Sequence, residues 1–359
     1  MTKYAKDLEV AVTAVRLACR LCTTVQSRLL AKETQSKSDE SPVTVADYGS
    51  QALISWALER ALPKGTFSMV AEEDSDDLQA ESAGPMLARI TELVNETIKA
   101  DGSITDAEPL SQEEIVIAID RGRSPGGPEG RHWVLDPIDG TKGFVRGDQY
   151  AVALGLLDGG EVVLGVLGCP NLPLASMDVE AARKKGEPVG SLFAAYKGAG
   201  TTVEPIDGSS PPTKVRVSSV EDPAWASFCE SFEKKHSDQE LTGGIAQVLG
   251  VTAPPCRIDS QAKYGAMARG DAAIYLRFPH AGYREKIWDH VAGCCVIEEA
   301  GGVVRDAGGN KLDFSKGRFL DLDRGIIATN ARLMPVVLAA VQTVVKGQQP
   351  HGTPAKAHA

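Results

Sequence analysis

Residues 132–144 read HWVLDPIDGTKGF, an apolar run closed by Asp136 and Asp139, with Gly140 and Thr141 directly behind them. HWVLD has the residue types of a strand, and two carboxylates held this close at its end repel by roughly 1–4 kcal/mol, depending on the local dielectric. Something has to offset that. Asp-Pro and Asp-Gly are turn dipeptides, so a plain turn accounts for the pair taken alone. A site for hard cations, which take carboxylate and carbonyl oxygens, accounts for it as well. A second acidic cluster favours the cation site: Glu72, Glu73 and Asp74 follow the short strand FSMVA at 67–71, so two strand ends can aim acids into one cleft. Gly140, Thr141, Lys142 and Gly143 would open the next element, and if that is helical its free N–H groups can receive an anion. Acids that hold cations beside amides that accept an anion describe a phosphate ester pinned by metals.

Two rivals fail on spacing. Phosphatases that form an aspartyl-phosphate carry aspartates two apart, D-x-D-x-T, whereas here the spacing is three, which disfavours a covalent intermediate. GRSPGGPEGRH at 122–132 is glycine-rich but lacks the order G-x-x-x-x-G-K-[ST], and reads as a turn.

The chain has 359 residues, 43% apolar and 24% charged, which suits two domains or one large layered domain of an ordinary globular protein. A net charge of −10 argues against a nucleic-acid polymer as partner and leaves room for a small anion met by a few gathered cations. No run approaches the roughly 20 apolar residues that span a bilayer, so no membrane partner is expected. MTKYAKDLEV has neither an h-region nor a transit pattern, so a cytoplasmic protein, or the processed form of a chloroplast or mitochondrial one, is expected; oligomeric state stays open. Seven cysteines, an odd number, fit reduced buried thiols. Cys19 and Cys22 share a helix face with Leu8, Val12, Val15 and Leu29, which reads as core packing, and adjacent Cys294 and Cys295 read the same way.

Outward from the acidic stretch, 44–62 reads as a helix with Thr44 and Asp47 spaced as a capping box, 87–99 as another helix, and 151–169 as a hairpin turned at Asp158-Gly159-Gly160. SLFAAYKG and KVRVSS read as strands. From Asp222 helices and short strands alternate, which suggests an α/β unit. The expected division is an N-terminal α+β domain at 1–218 bearing the acidic motifs, a C-terminal α/β domain at 219–347, and a disordered polar tail at 348–359. Asp47 is a cap residue by spacing, yet a carboxylate there can also accept a bond from a threonine hydroxyl and, with Thr141, orient a water. Asp289, in EKIWDHVAG, has the position of an N-cap and is a third source of carboxylate.

HWVLDPIDGTKGF and IWDHVAGCCVIEEAGG resemble the two signatures of the lithium-sensitive, magnesium-dependent phosphatases of the inositol monophosphatase superfamily, with VAEEDS upstream in the expected order. The resemblance runs from Tyr4 to Val345. Within the superfamily, SKSDESPVTVADYGSQ, IDSQAKYGAMARGDAAIYLRFP and YREKIWDHVAG are most similar to the 3′(2′),5′-bisphosphate nucleotidases, especially the plant and algal branch. It implies a layered αβαβα sandwich of the inositol monophosphatase and fructose-bisphosphatase type. It implies that Glu72, Asp136, the Ile138 carbonyl, Asp139 and Asp289 hold up to three Mg²⁺ ions, that Asp47 and Thr141 position and activate a water, and that Gly140, Thr141, His236, Ser260, Lys263 and Arg277 meet the nucleotide. The implied reaction is loss of the 3′-phosphate from 3′-phosphoadenosine 5′-phosphate, and from its 5′-phosphosulfate analogue. An inositol polyphosphate 1-phosphatase and a non-catalytic nucleotide sensor on the same fold are the alternatives.

Overall fold

The computed structural model describes residues 3–32, 42–102, 104, 106–232, 239–280 and 282–347; the expected tail at 348–359 lies outside them. The first half runs α1 Ala5–Lys32, α2 Pro42–Ala61, β1 Met69–Ala71, α3 Gly84–Asp101, α4 Gln112–Asp120, β2 Arg131–Asp139, α5 Thr141–Arg146, β3 Ala151–Asp158, β4 Glu161–Pro173, α6 Val179–Lys185, β5 Val189–Tyr196, β6 Gly200–Pro205 and β7 Thr213–Lys214. The second runs β8 Phe228–Glu230, α7 Gln239–Leu249, β9 Cys256–Arg257, α8 Ala262–Arg269, β10 Ile274–Arg277, α9 Val291–Glu299, β11 Gly302–Asp306, β12 Ile326–Asn330 and α10 Met334–Gly347. Strands β1 to β7 form one sheet in sequence order, and β11-β12-β10-β8-β9 form a second.

Both faces of each sheet are covered, which is why the strands are nearly continuous apolar runs rather than alternating ones. On β2 and β3, Trp133, Leu135, Val152 and Leu154 point to one side and pack with Ala14, Cys19, Leu53 and Ile54 of α1 and α2. Val134, Ala151 and Ala153 point to the other and pack with Tyr264 and Met267 of α8, Val291 and Val296 of α9, and Tyr275, Val304 and Ala328 of the second sheet. The far face of that sheet, Phe228, Ile274, Leu276 and Ile327, is closed by Leu241 and Ile245 of α7 and Val337 and Val341 of α10. The layers therefore run αβαβα. Cys19, Cys22, Cys294 and Cys295 are buried free thiols in these helices.

The hairpin turns at Gly159 and Gly160, whose φ values of 63° and 78° lie in the left-handed region that a two-residue turn between right-twisted strands needs. Two local expectations are corrected. Helix α2 starts at Pro42, a residue suited to a first helical turn, so Thr44 lies inside the helix and makes no capping box with Asp47. Of KVRVSS, 214–219, only Lys214 lies in a strand, at the end of Thr213–Lys214. Beyond it, Val215 and Val217 follow the backbone singly, donating to Thr201 and Ala300 carbonyls. Among the described residues no helix is long and apolar enough to cross a membrane.

Candidate active site

β1 pairs parallel with β2, Ala71 opposite Leu135, so both strands end on the same side and Glu72 comes level with Asp136. Side chains alternate along a strand, so Asp136 and Asp139, an odd number of residues apart, would ordinarily face opposite ways. A bulge resolves this: Asp136 pairs with Ala153 and Asp139 with Ala151, so three steps on β2 match two on β3. Pro137, without an N–H to lose from the ladder, suits the bulge, and its carbonyl accepts the Ser50 hydroxyl at 3.1 Å.

Both carboxylates then line a cavity of about 380 Å³ with Glu72, Ile138, Gly140, Thr141, Lys142, Arg277, Pro279, His280, Tyr283 and Asp289. Asp289 is brought there from the second half, where it closes a short 3₁₀ turn, Ile287–Asp289; His290 rather than Asp289 precedes α9, which corrects the expected N-cap. Asp47 sits on α2 with its side chain buried near Glu73 and Glu72. The expected Asp47–Thr141 bond is not formed: the Thr141 hydroxyl donates to the Ile138 carbonyl at 3.4 Å. Helix α5 has only six residues behind Gly140, so it offers amides more than a dipole.

The acids perturb one another. Burial, then Glu72, Asp139 and Asp289, hold the Asp136 carboxyl well above the usual range, and Asp136 is 2% exposed. Burial and then Asp139 push Glu72 up. Burial raises Asp47, with Glu73 next, and Asp289, where Arg277 opposes the rise. Glu73 is pushed up to about 7, first by burial and then by Glu72. The Asp136 Oδ1 atom is buried and has no hydrogen-bond partner. A partnerless carboxylate oxygen among acids that repel one another is the environment a hard divalent cation relieves, so the donor set fits one.

Glu285, Asp289 and His290 also bring ligand atoms within 4.8 Å of one another. Glu285, however, is committed elsewhere: it accepts from Arg277 Nε at 2.6 Å and Nη2 at 2.8 Å, and pairs with His290 Nε2 at 2.9 Å. His290 Nδ1 faces the Tyr264 hydroxyl at 2.9 Å, and burial lowers its pKa, so the neutral ring donates to Glu285 and accepts from Tyr264. Of these three, only Asp289 lines the cavity.

The expected substrate residues divide. Gly140, Thr141 and Arg277 line the cavity. Ser260 and Lys263 lie just behind its wall: Ser260 is one of two described non-glycine residues with positive φ, at 66°, and a Cβ on Gly140 would come within 2.8 Å of its Cβ. Lys263 is 3% exposed, and its Nζ donates to the Ile258 carbonyl at 3.3 Å; burial lowers its pKa. His236 lies outside the described residues. His280, Tyr283, Glu285 and Gln261 were not singled out from sequence, and Lys142 only for its backbone N–H; each is an ordinary surface or core type there, and only the fold gives their side chains a place.

A protein-family model described as the inositol monophosphatase family matches residues 4–346. The chain is 61% identical over 352 residues to a 3′(2′),5′-bisphosphate nucleotidase of Oryza sativa, with 98% of each chain covered. It is 59% identical over 347 residues to 3′(2′),5′-bisphosphate nucleotidase 1 of Arabidopsis thaliana, covering 96% of this chain and 98% of that one. Among solved structures, the inositol monophosphatase from Anabaena (Nostoc) sp. PCC 7120 is similar with a TM-score of 0.56 at 20% identity, covering 95% of this chain and 97% of that one. At that identity the likeness speaks for the fold alone.

Proposed function

The chain belongs to the inositol monophosphatase family, which is generally metal-dependent, and from that premise we propose that it hydrolyses the 3′-phosphate of 3′-phosphoadenosine 5′-phosphate to AMP and phosphate, and treats the 5′-phosphosulfate analogue likewise. The observation that carries this reading is the end-to-end likeness, at 61% identity, to a protein named 3′(2′),5′-bisphosphate nucleotidase. A domain division at 218 is part of this proposal, and it is supported by one cavity lined by acids of the first half and by Arg277 and Asp289 of the second.

Glu72, Asp136, the Ile138 carbonyl, Asp139 and Asp289 would hold up to three Mg²⁺ ions, which supply Lewis acidity toward phosphoryl oxygens, a lowered pKa for water and charge for the leaving 3′-oxygen. Asp136 brings the oxygen that lacks a partner. Arg277 is held by Glu285 through Nε and Nη2, and Nη2 also lies 3.5 Å from Asp289 Oδ2, so its remaining N–H groups are those that would reach a 5′-phosphate, with buried Lys263 adding positive potential behind them. Gly140 and Thr141 would bring backbone amides to the reacting phosphate. Asp47 and Thr141 would orient the attacking water; this requires the Thr141 hydroxyl to turn from the Ile138 carbonyl toward Asp47. His236 is proposed as a further nucleotide contact.

The test is phosphate release from 3′-phosphoadenosine 5′-phosphate in Mg²⁺, repeated with Li⁺ and beside inositol 1,4-bisphosphate. Release that Li⁺ blocks and that favours the nucleotide is expected. Preference for the inositol phosphate would shift the assignment to an inositol polyphosphate 1-phosphatase. Tight nucleotide binding with no release would make the chain a sensor.

A further inference from the structure

Gln261 is 1% exposed, stands at the start of α8 and does not use its side chain to cap that helix. Its backbone N–H donates to Asp139 Oδ2 at 2.6 Å. Its amide nitrogen donates to the Trp288 carbonyl at 2.8 Å, and its amide oxygen accepts from the Gly293 N–H at 3.1 Å. One buried residue thus touches the end of β2, the 3₁₀ turn that carries Asp289, and the first turn of α9. The residue before it, Ser260, holds a left-handed φ that side chains rarely adopt, and it lies against Gly140, the residue that follows Asp139.

We propose that Gln261 is a positioning residue that sets the separation of Asp139 from Asp289 and thereby the divalent-cation affinity of the acidic cavity. The proposal rests on the reading of that cavity as a metal site. With Oδ2 of Asp139 engaged by an N–H, the lone pairs left on this carboxylate are the ones a cation can use, and the primary amide ties the Trp288–Asp289 peptide to the same small block of structure. Both ends of the amide are needed, because its nitrogen holds the turn while its oxygen holds the helix behind it. Partners of this outer kind, hydrogen-bonded behind the ligands, typically change metal affinity by about 10–100-fold when lost.

The experiment is a Mn²⁺ titration followed by electron paramagnetic resonance, on the full chain without substrate, for the parent protein, Gln261→Met and Gln261→Glu. Met keeps the length and removes both side-chain bonds; Glu keeps an acceptor for Gly293 and loses the donor to Trp288. Melting temperatures in EDTA accompany each titration. The expected result is a Mn²⁺ dissociation constant raised by about tenfold or more in Gln261→Met, with folding retained and the nucleotide KM little changed at saturating metal. Gln261→Glu should show weakened Mn²⁺ binding too, despite its extra negative charge. Parent-like Mn²⁺ affinity in both folded variants overturns the proposal, and so does failure of both to fold, which would make the amide a packing requirement. Absence of Mn²⁺ binding by the parent protein would instead overturn the metal-site reading itself.

Discussion

Replacing Glu285 with Gln removes the nearer countercharge of Arg277, leaving Asp289 Oδ2 at 3.5 Å, while keeping the shape of the site. Glu285 is 2% exposed, and although burial works against its charge, Arg277 and then His290 hold its carboxyl down at about 2, from the usual 4.5. A gap of that size corresponds to roughly 3 kcal/mol of native-state stability at neutral pH, in line with the ~3–5 kcal/mol lost when one member of a buried pair is deleted. Unfolding entropy of about 2.1 cal/mol/K per residue over this chain comes to roughly 0.75 kcal/mol/K, so Tm should fall by ~4 °C. The sign with pH follows from a depressed folded pKa: the contribution is complete above the unfolded value and is lost as pH falls through the folded one. At pH 3.5 roughly two-fifths should be gone, and the Tm difference should shrink to ~2–3 °C. The assay is differential scanning fluorimetry of both proteins at pH 7 and pH 3.5, with EDTA present so that metal binding does not contribute. A variant within about 1 °C of the parent at pH 7, or a difference that grows on acidification, would refute the reasoning.

Asp136→Asn should abolish turnover while leaving the metal-free Tm unchanged or higher, because it removes a buried acid that its neighbours repel; it should also lose the rise in Tm that Mg²⁺ gives the parent, read in the same fluorimetric scan. Gly140→Ala places a Cβ at φ 88° and within 2.8 Å of the Ser260 Cβ, so a Tm drop of ~1–3 °C and a disproportionate fall in kcat are expected, measured by melting and steady-state kinetics. Of the seven thiols only Cys256 is less than fully buried, so a thiol-reactive chromophore should label one group in the native state and the other six on the timescale of unfolding, with the labelled site read by mass spectrometry.

Much of the fold was legible because its strands are read by composition. Apolar runs at 151–169 and 191–198, the first broken by Asp158-Gly159-Gly160, read as strands with one local solution, whereas the αβαβα layering was expected from the family resemblance and not from composition. Cys19 and Cys22 were likewise legible as core from helical spacing. Caps were not. Thr44 has the chemistry of an N-cap, but Pro42 lets the helix begin a half-turn earlier; Asp289 has it too, but the chain spends that residue on a 3₁₀ turn. The acids were visible as types at strand ends, whereas their supports were not. Gln261 meets Asp139 across 122 residues of sequence, and Glu285 looks like any surface glutamate until Arg277 and His290 close on it.

The parity of Asp136 and Asp139 shows what the fold adds to the motif. A regular strand would have buried one of them against α1 and α2 and given the other to the cavity, at the cost of an uncompensated buried charge. The bulge turns both toward the same space, and the parallel pairing of β1 adds Glu72 at the same level. Three acids from one sheet edge then repel, and the raised pKa values of Glu72 and Asp136 record the strain of burial and proximity. The second half answers with geometry more than with charge: Arg277 is largely neutralised by Glu285, and what α8 contributes directly to Asp139 is a backbone N–H. Among the described residues, four carboxyl groups line the cavity against Lys142 and Arg277, and Arg277 is shared between Glu285 and, at 3.5 Å, Asp289, so the acids outnumber the cations there. A cation bound here would relieve the repulsion among the acids and in turn attract an anionic substrate, which is the charge pattern of metal-assisted phosphate ester hydrolysis.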